Sequence, residues 1–157
     1  MLVVAADTFF IGMLVWAAAS DLATMTIPNR IILALLAGYA VLALLSDVAL
    51  MQGLLAGVLA LAGTLVLFSC GWIGGGDAKL FAAAALWLGI EQLVPLLFAT
   101  SLAGTVLTIG MVLLRARPVP AFWARRPWFA RLLNPQSGVP YGIAIAVAGC
   151  AVLATAG

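Results

Sequence analysis

Two carboxylates stand out by position. Asp77 directly follows three glycines in Gly74-Gly75-Gly76-Asp77-Ala78-Lys79, and Asp21 closes the first apolar stretch. An ionisable group at the margin of a long apolar segment is costly to keep there and marks a functional site by default. If the chain folds so that the two meet, repulsion keeps them from ionising together and the pair shares one proton. The ionised carboxylate can then take a proton from water while its protonated partner polarises a carbonyl. That hydrolysis needs no metal, histidine or nucleophilic side chain. The glycines suit it, because without Cβ atoms they reach backbone conformations closed to other residues and let an extended substrate lie close to the carboxylate. A blander alternative stays open here: both aspartates could cap helices at an interface, Asp21 as an N-cap and Asp77 in the first turn of the fourth helix.

Composition sets the surroundings. Of 157 residues, 66% are hydrophobic and 8% charged, with a mean hydropathy of +1.27, which is integral-membrane composition in a single all-α unit spanning 1–157. Histidine is absent. That removes Ser-His and Cys-His nucleophile systems, HExxH metalloproteases and most zinc sites. Cys70 and Cys150 have no CxxC partner and read as buried apolar fillers, so neither a metal nor another cofactor is expected. The few basic residues sit at segment ends and are not gathered for nucleic acid.

The elements that must position the aspartates follow in order. Residues 2–19 are long enough for a hydrocarbon core, which takes roughly 17–25 helical residues. They lack the basic n-region of a cleaved signal peptide, since Asp7 is their one charge. A polar break carries Asp21, Pro28 and Asn29, with Pro28 suited to the first turn of a helix over 29–45 that ends at a turn around Ser46 and Asp47. The third segment, 48–70, holds a GxxxG spacing at Gly53 and Gly57, read as close helix packing. Residues 80–90 are a short apolar run, either a re-entrant half helix or part of a span from about 77 to 94. The fifth segment covers 93–114, with Pro95 in its first turn. A loop of arginines (Arg115, Arg117, Arg125, Arg126, Arg131) interleaved with Phe122, Trp123, Trp128 and Phe129 suits an anionic membrane face. The last segment opens at Val139-Pro140-Tyr141-Gly142.

Charge sets the expected topology. With six transmembrane helices, all 7 Lys and Arg fall on one side, which the positive-inside rule makes cytoplasmic, and both termini lie outside. Asp7, Asp47 and Glu91 fall toward the other face, and Asp21 and Asp77 share the cytoplasmic one. Lys79, two residues beyond Asp77, lies off its helical face and reads as a topology anchor.

Three stretches together resemble the type IV prepilin peptidases, bacterial GxGD-type aspartic membrane proteases: Asp21 followed by Ile27-Pro28-Asn29, then Gly74-Gly75-Gly76-Asp77-Ala78-Lys79-Leu80, then Pro140-Tyr141-Gly142. The resemblance runs in the same order over essentially the whole chain. It implies that Asp21 and Asp77 are the catalytic pair, supported by Gly74, Gly75, Gly76, Lys79, Pro28 and Asn29. It also implies a prepilin substrate, whose short basic leader is cut after a glycine at the cytoplasmic face of the bacterial inner membrane. Larger members carry a cytoplasmic insert with paired cysteines between their first two spans and also N-methylate the new terminus. Here a short polar break without CxxC fills that position, which makes the chain more like the peptidase-only members serving tight-adherence (Flp-type) pili.

Three other readings compete. A transporter would bind a cation at Asp77 and the glycine-broken helix, although few polar residues line any span. A pilus-assembly scaffold would use the carboxylates structurally. A Ser-Lys peptidase would use Lys79, although no serine is near it in sequence.

Overall fold

The computed structural model describes residues 1–46, 50–116, 122, 126–134 and 138–156, and every regular element among them is helical. The expectations for Asp47, Val48, Arg117, Trp123 and Arg125 lie outside the described residues. The helices are α1 (Leu2–Thr24), α2 (Asn29–Leu45), α3 (Leu50–Ser69), α4 (Gly75–Leu88), α5 (Leu93–Arg115), the short α6 (Pro127–Leu133) and α7 (Tyr141–Ala156), with a 3₁₀ turn at Ile90–Gln92 between α4 and α5. Three stretches are long and apolar enough to cross a membrane: Leu2–Thr24, Leu50–Ser69 and Ile90–Arg115. α2 and α7 are shorter apolar helices.

α4 is the axis of the bundle. It packs against α2, α3, α5 and α7, and Ala78, Leu80, Phe81, Ala82, Ala83, Ala84, Ala85 and Leu86 are all buried. Its alanines explain that position: small side chains on every face let neighbouring helices approach closely without a gap to fill. The helix has 14 residues, so it is about 21 Å long at 1.5 Å per residue. It stops where Gly89 takes φ 81°, a left-handed conformation that a residue with a Cβ rarely adopts. The outer helices are apolar on their exposed sides as well, with Leu33, Val58, Phe98 and Val106 all uncovered, as lipid-facing surfaces are.

The bundle has two unlike ends. One joins the C-termini of α1, α3 and α5 to the N-termini of α2, α4 and α7. Lys79 Nζ on α4 donates to Asn29 Oδ1 on α2 at 3.1 Å. Arg115, at the end of α5, donates to the Leu132 carbonyl at 2.8 Å and the Gly138 carbonyl at 2.6 Å, pinning the segment that leads into α7. The other end centres on Trp87 of α4. Its ring lies 5.3 Å from that of Phe10, 5.8 Å from Phe9 and 6.0 Å from Tyr39, and its Nε1 donates to the Leu35 carbonyl at 2.9 Å. Gly53 and Gly57 of α3 face α4 at this end. A Cβ at Gly53 would meet the Leu86 carbonyl oxygen at 2.7 Å, and one at Gly57 would meet Leu86 Cβ at 3.2 Å, so the GxxxG spacing serves packing inside the chain.

α1 differs from its expected extent. It runs a turn beyond residue 19, through Asp21 to Thr24, and closes with Met25 at φ 54° and a Met25 N–H donating to the Asp21 carbonyl. Hydroxyls bond to backbone carbonyls around this helix end: Thr24 Oγ1 donates to the Ser20 carbonyl at 2.8 Å, and Ser20 Oγ to the Thr26 carbonyl at 3.0 Å. Phe10, Leu14 and Ala17 on the same helix are fully buried, so α1 belongs to the core.

Candidate functional site

Asp21 sits in the last turn of α1 and is 5% exposed. A carboxylate at a helix C-terminus faces the unfavourable end of that helix's dipole, so Asp21 is not an N-cap of its own neighbourhood. Its partner comes from the far end of the chain: the Gly142 N–H, in the first turn of α7, donates to Asp21 Oδ2 at 2.7 Å. Gly142 has to be glycine at this distance. A Cβ there would stand 2.9 Å from Oδ2 and 3.0 Å from Asp21 Cβ.

Asp77 repeats the arrangement with a local partner. It lies in the first turn of α4, and a Cβ on Gly74, the N-cap residue, would stand 2.9 Å from Asp77 Oδ2. Each carboxylate therefore lies against a glycine at the start of a helix, where free N–H groups and the positive end of the dipole collect. The two are close enough for the charge on Asp21 to act on Asp77.

The backbone angles of the three glycines differ from expectation. Gly74 has φ −74° and ψ 148°, Gly75 and Gly76 are helical, and none has positive φ. What requires their missing side chains is proximity. Gly74 gives room to the Asp77 carboxyl, and Gly76 lies against Ile27, with a notional Cβ 3.3 Å from Ile27 Cβ. That contact brings the loop holding Ile27 and Pro28 onto the start of α4, and the Lys79–Asn29 hydrogen bond holds the same two segments a turn further on. Pro28 is the N-cap residue of α2, in extended conformation.

A cavity of about 350 Å³ opens beside Asp77 between α3, α4, α5 and α7. Leu67, Trp72, Phe81 and Leu97 make much of its wall, and Thr100, Ser101 and Tyr141 add hydroxyls. Tyr141 comes close to α5 because Gly104 has no side chain, a Cβ there falling 2.7 Å from the ring. Another hollow of about 370 Å³, among α2, α3 and α4, is apolar apart from Lys79 and touches neither aspartate. Among the described residues, no group of three or more His, Cys, Asp or Glu side chains converges to hold a metal ion.

Tyr141, Gly142 and Thr100 join the aspartates although sequence reasoning did not place them at the site. Pro140-Tyr141-Gly142 was visible as a helix start and as part of the family resemblance, but the placing of Gly142 opposite Asp21 depends on packing across 121 residues. Nothing in the sequence distinguishes Thr100 from the other hydroxyl residues of α5.

Residues 8–109, a stretch containing both aspartates and the glycine run, match the type IV leader peptidase family. The chain belongs to that family. Within it, the chain is similar to the prepilin leader peptidase/N-methyltransferase of Aeromonas salmonicida, at 35% identity over 128 residues covering 71% of this chain and 43% of the relative. The protein of the same description from Aeromonas hydrophila gives the same figures. That of Bacillus subtilis is 36% identical over 108 residues, 66% of this chain and 43% of the relative. This leader peptidase family member thus spans less than half the length of the curated relatives it matches. No solved structure matches it.

Proposed function

We propose that the chain is a prepilin leader peptidase, an aspartic endopeptidase that removes the N-terminal leader of type IV, and specifically Flp-type, prepilins. The observation that carries this reading is the placing of Asp21 and Asp77, each against a glycine at a helix start, in a family whose members here are named for prepilin cleavage. One carboxylate takes a proton from water, whose oxygen adds to the scissile carbonyl carbon. The other, protonated, donates to the carbonyl oxygen, and a proton passes to the leaving amine as the C–N bond breaks, releasing leader and pilin. Asp77 lines the cavity and so meets the substrate, while Asp21 is held by Gly142 at its back. Gly74, Gly75, Gly76, Lys79, Pro28 and Asn29 support the site by joining the α1–α2 loop to the start of α4.

In this reading all six long helices cross the bacterial inner membrane, both termini lie outside and the aspartates face the cytoplasm. Arg30 at the start of α2, Lys79 on α4 and Arg115 at the end of α5 support that orientation, since all belong to the aspartate end of the bundle. The short link between α1 and α2, with no cysteine pair, supports peptidase activity without methylation.

A gel-shift assay in membranes tests the reading, with an Flp-type prepilin as substrate and Asp21→Asn and Asp77→Asn as nearly isosteric variants. Wild type shortens the prepilin, and each variant loses about a thousandfold or more in rate while remaining in the membrane. Normal processing by either variant would remove the mechanism.

A further inference from the structure

The wall of the cavity beside Asp77 holds a buried polar side chain with no work in the resting protein. Thr100 is 8% exposed, and its hydroxyl finds no hydrogen-bond partner. The serine and the other threonines of the same wall are occupied. Ser101 Oγ donates to the Leu97 carbonyl at 2.8 Å, Thr105 Oγ1 to the Ser101 carbonyl at 2.8 Å, and Thr64 Oγ1 to the Ala60 carbonyl at 2.7 Å. Turning back onto the preceding helical turn is the ordinary way for a hydroxyl in an apolar helix to satisfy itself. Thr100 has not taken it. A buried hydroxyl without a partner costs stability, so its presence in the wall next to Asp77 calls for a partner supplied from outside.

We propose that Thr100 is a substrate-positioning residue: its hydroxyl donates to a backbone carbonyl of the extended substrate as a neighbouring apolar side chain enters the cavity, setting the scissile bond against Asp77. This rests on the peptidase reading and adds to it a peptide-binding group on α5. Helical threonine divides between two χ1 wells, so one rotamer step carries the hydroxyl from the wall to the cavity interior. The cavity walls supply the rest of the specificity. Leu67, Phe81, Leu97 and Ile145 form a surface for an apolar side chain and offer nothing to a charged one.

The test uses the purified full chain in detergent and a synthetic peptide spanning the leader and first residues of an Flp-type prepilin. Four proteins are compared: wild type, Thr100→Val, Thr100→Ser and Asp77→Asn. Valine keeps the shape and removes the hydroxyl, so kcat/KM falls about 5- to 10-fold, chiefly through KM, while the thermal midpoint stays level or rises because an unsatisfied group has gone. Serine restores the hydroxyl and with it most of the lost kcat/KM. If wild type cleaves, Asp77→Asn does not, and Thr100→Val matches wild type, the positioning role falls and the peptidase reading stands. A lowered midpoint in Thr100→Val, or no rescue by serine, marks a structural hydroxyl and also overturns it. If wild type leaves the peptide intact, the peptidase reading fails and takes this inference with it.

Discussion

The two ends of the bundle solve opposite problems with the same residue types. At the Trp87 end, glycine lets helices touch: Gly53 lies against Leu86 and Tyr39, and the aromatic rings of Phe9, Phe10 and Tyr39 gather around Trp87. At the aspartate end, glycine makes room for carboxyl groups, at Gly74 and Gly142. Each end also holds a buried hydroxyl without a partner. That of Tyr39 is wedged against Gly53 in filled space, whereas Thr100 borders a cavity. The contrast teaches that an unsatisfied group or a missing side chain acquires functional meaning from the space beside it. One end gathers its aromatic rings around Trp87, and the other sets a carboxyl and hydroxyls on the wall of a cavity.

Substitutions that exchange these properties test the contrast. The largest effect belongs to Gly142→Ala. The added Cβ would fall 2.9 Å from Asp21 Oδ2, and Asp21 can retreat only by leaving its hydrogen bond to the Gly142 N–H. Losing a charge-assisted hydrogen bond of this kind costs about 2–3 kcal/mol of folded-state stability, so the thermal midpoint falls, and with Asp21 displaced prepilin cleavage falls roughly a hundredfold. Near-normal cleavage by this variant would show that Asp21 does not depend on α7. Gly53→Ala is expected to lower stability and spare cleavage. Its Cβ meets the Leu86 carbonyl oxygen, which belongs to backbone and cannot swing aside, and overpacking of that kind costs about 1–3 kcal/mol. Thermal unfolding in detergent registers the loss, and the protein that remains folded keeps its kcat. The smallest effect is that of Trp87→Phe, which keeps an aromatic ring near Phe10 but leaves the Leu35 carbonyl without its donor. About 1 kcal/mol of stability goes, with cleavage unchanged. A drop in cleavage from either of the last two would mean that the ends are coupled through α4.

Much of this layout was legible from apolar run length and the placing of charges. The helix expected over 29–45 is α2, and the segment expected over 93–114 is α5 with one further residue. Both depend on local properties: long apolar stretches, a proline at the entry and glycine or charge at the exit. What escaped depends on relations between helices. The run of alanines in α4 looked like a short, weak span, yet small residues on all faces are what a helix surrounded by others requires. Asp21 looked like the start of a break because Ser20, Asp21 and Thr24 are polar, yet α1 continues through all three, with Asp21 held by an amide of the last helix. The glycines before Asp77 looked like a device for unusual backbone angles, but the angles are ordinary and the approach of a carboxyl is what excludes a side chain.

The hydrogen bond from Gly142 to Asp21 also has a consequence in time. Synthesis proceeds from the N-terminus at roughly 5–20 residues per second, and the two partners are 121 positions apart. Asp21 therefore leaves the ribosome roughly 6–24 s before the amide that will hold it. A growing polypeptide carries the carboxylate through most of its own manufacture without that contact, which forms only once the final helix has packed beside the first.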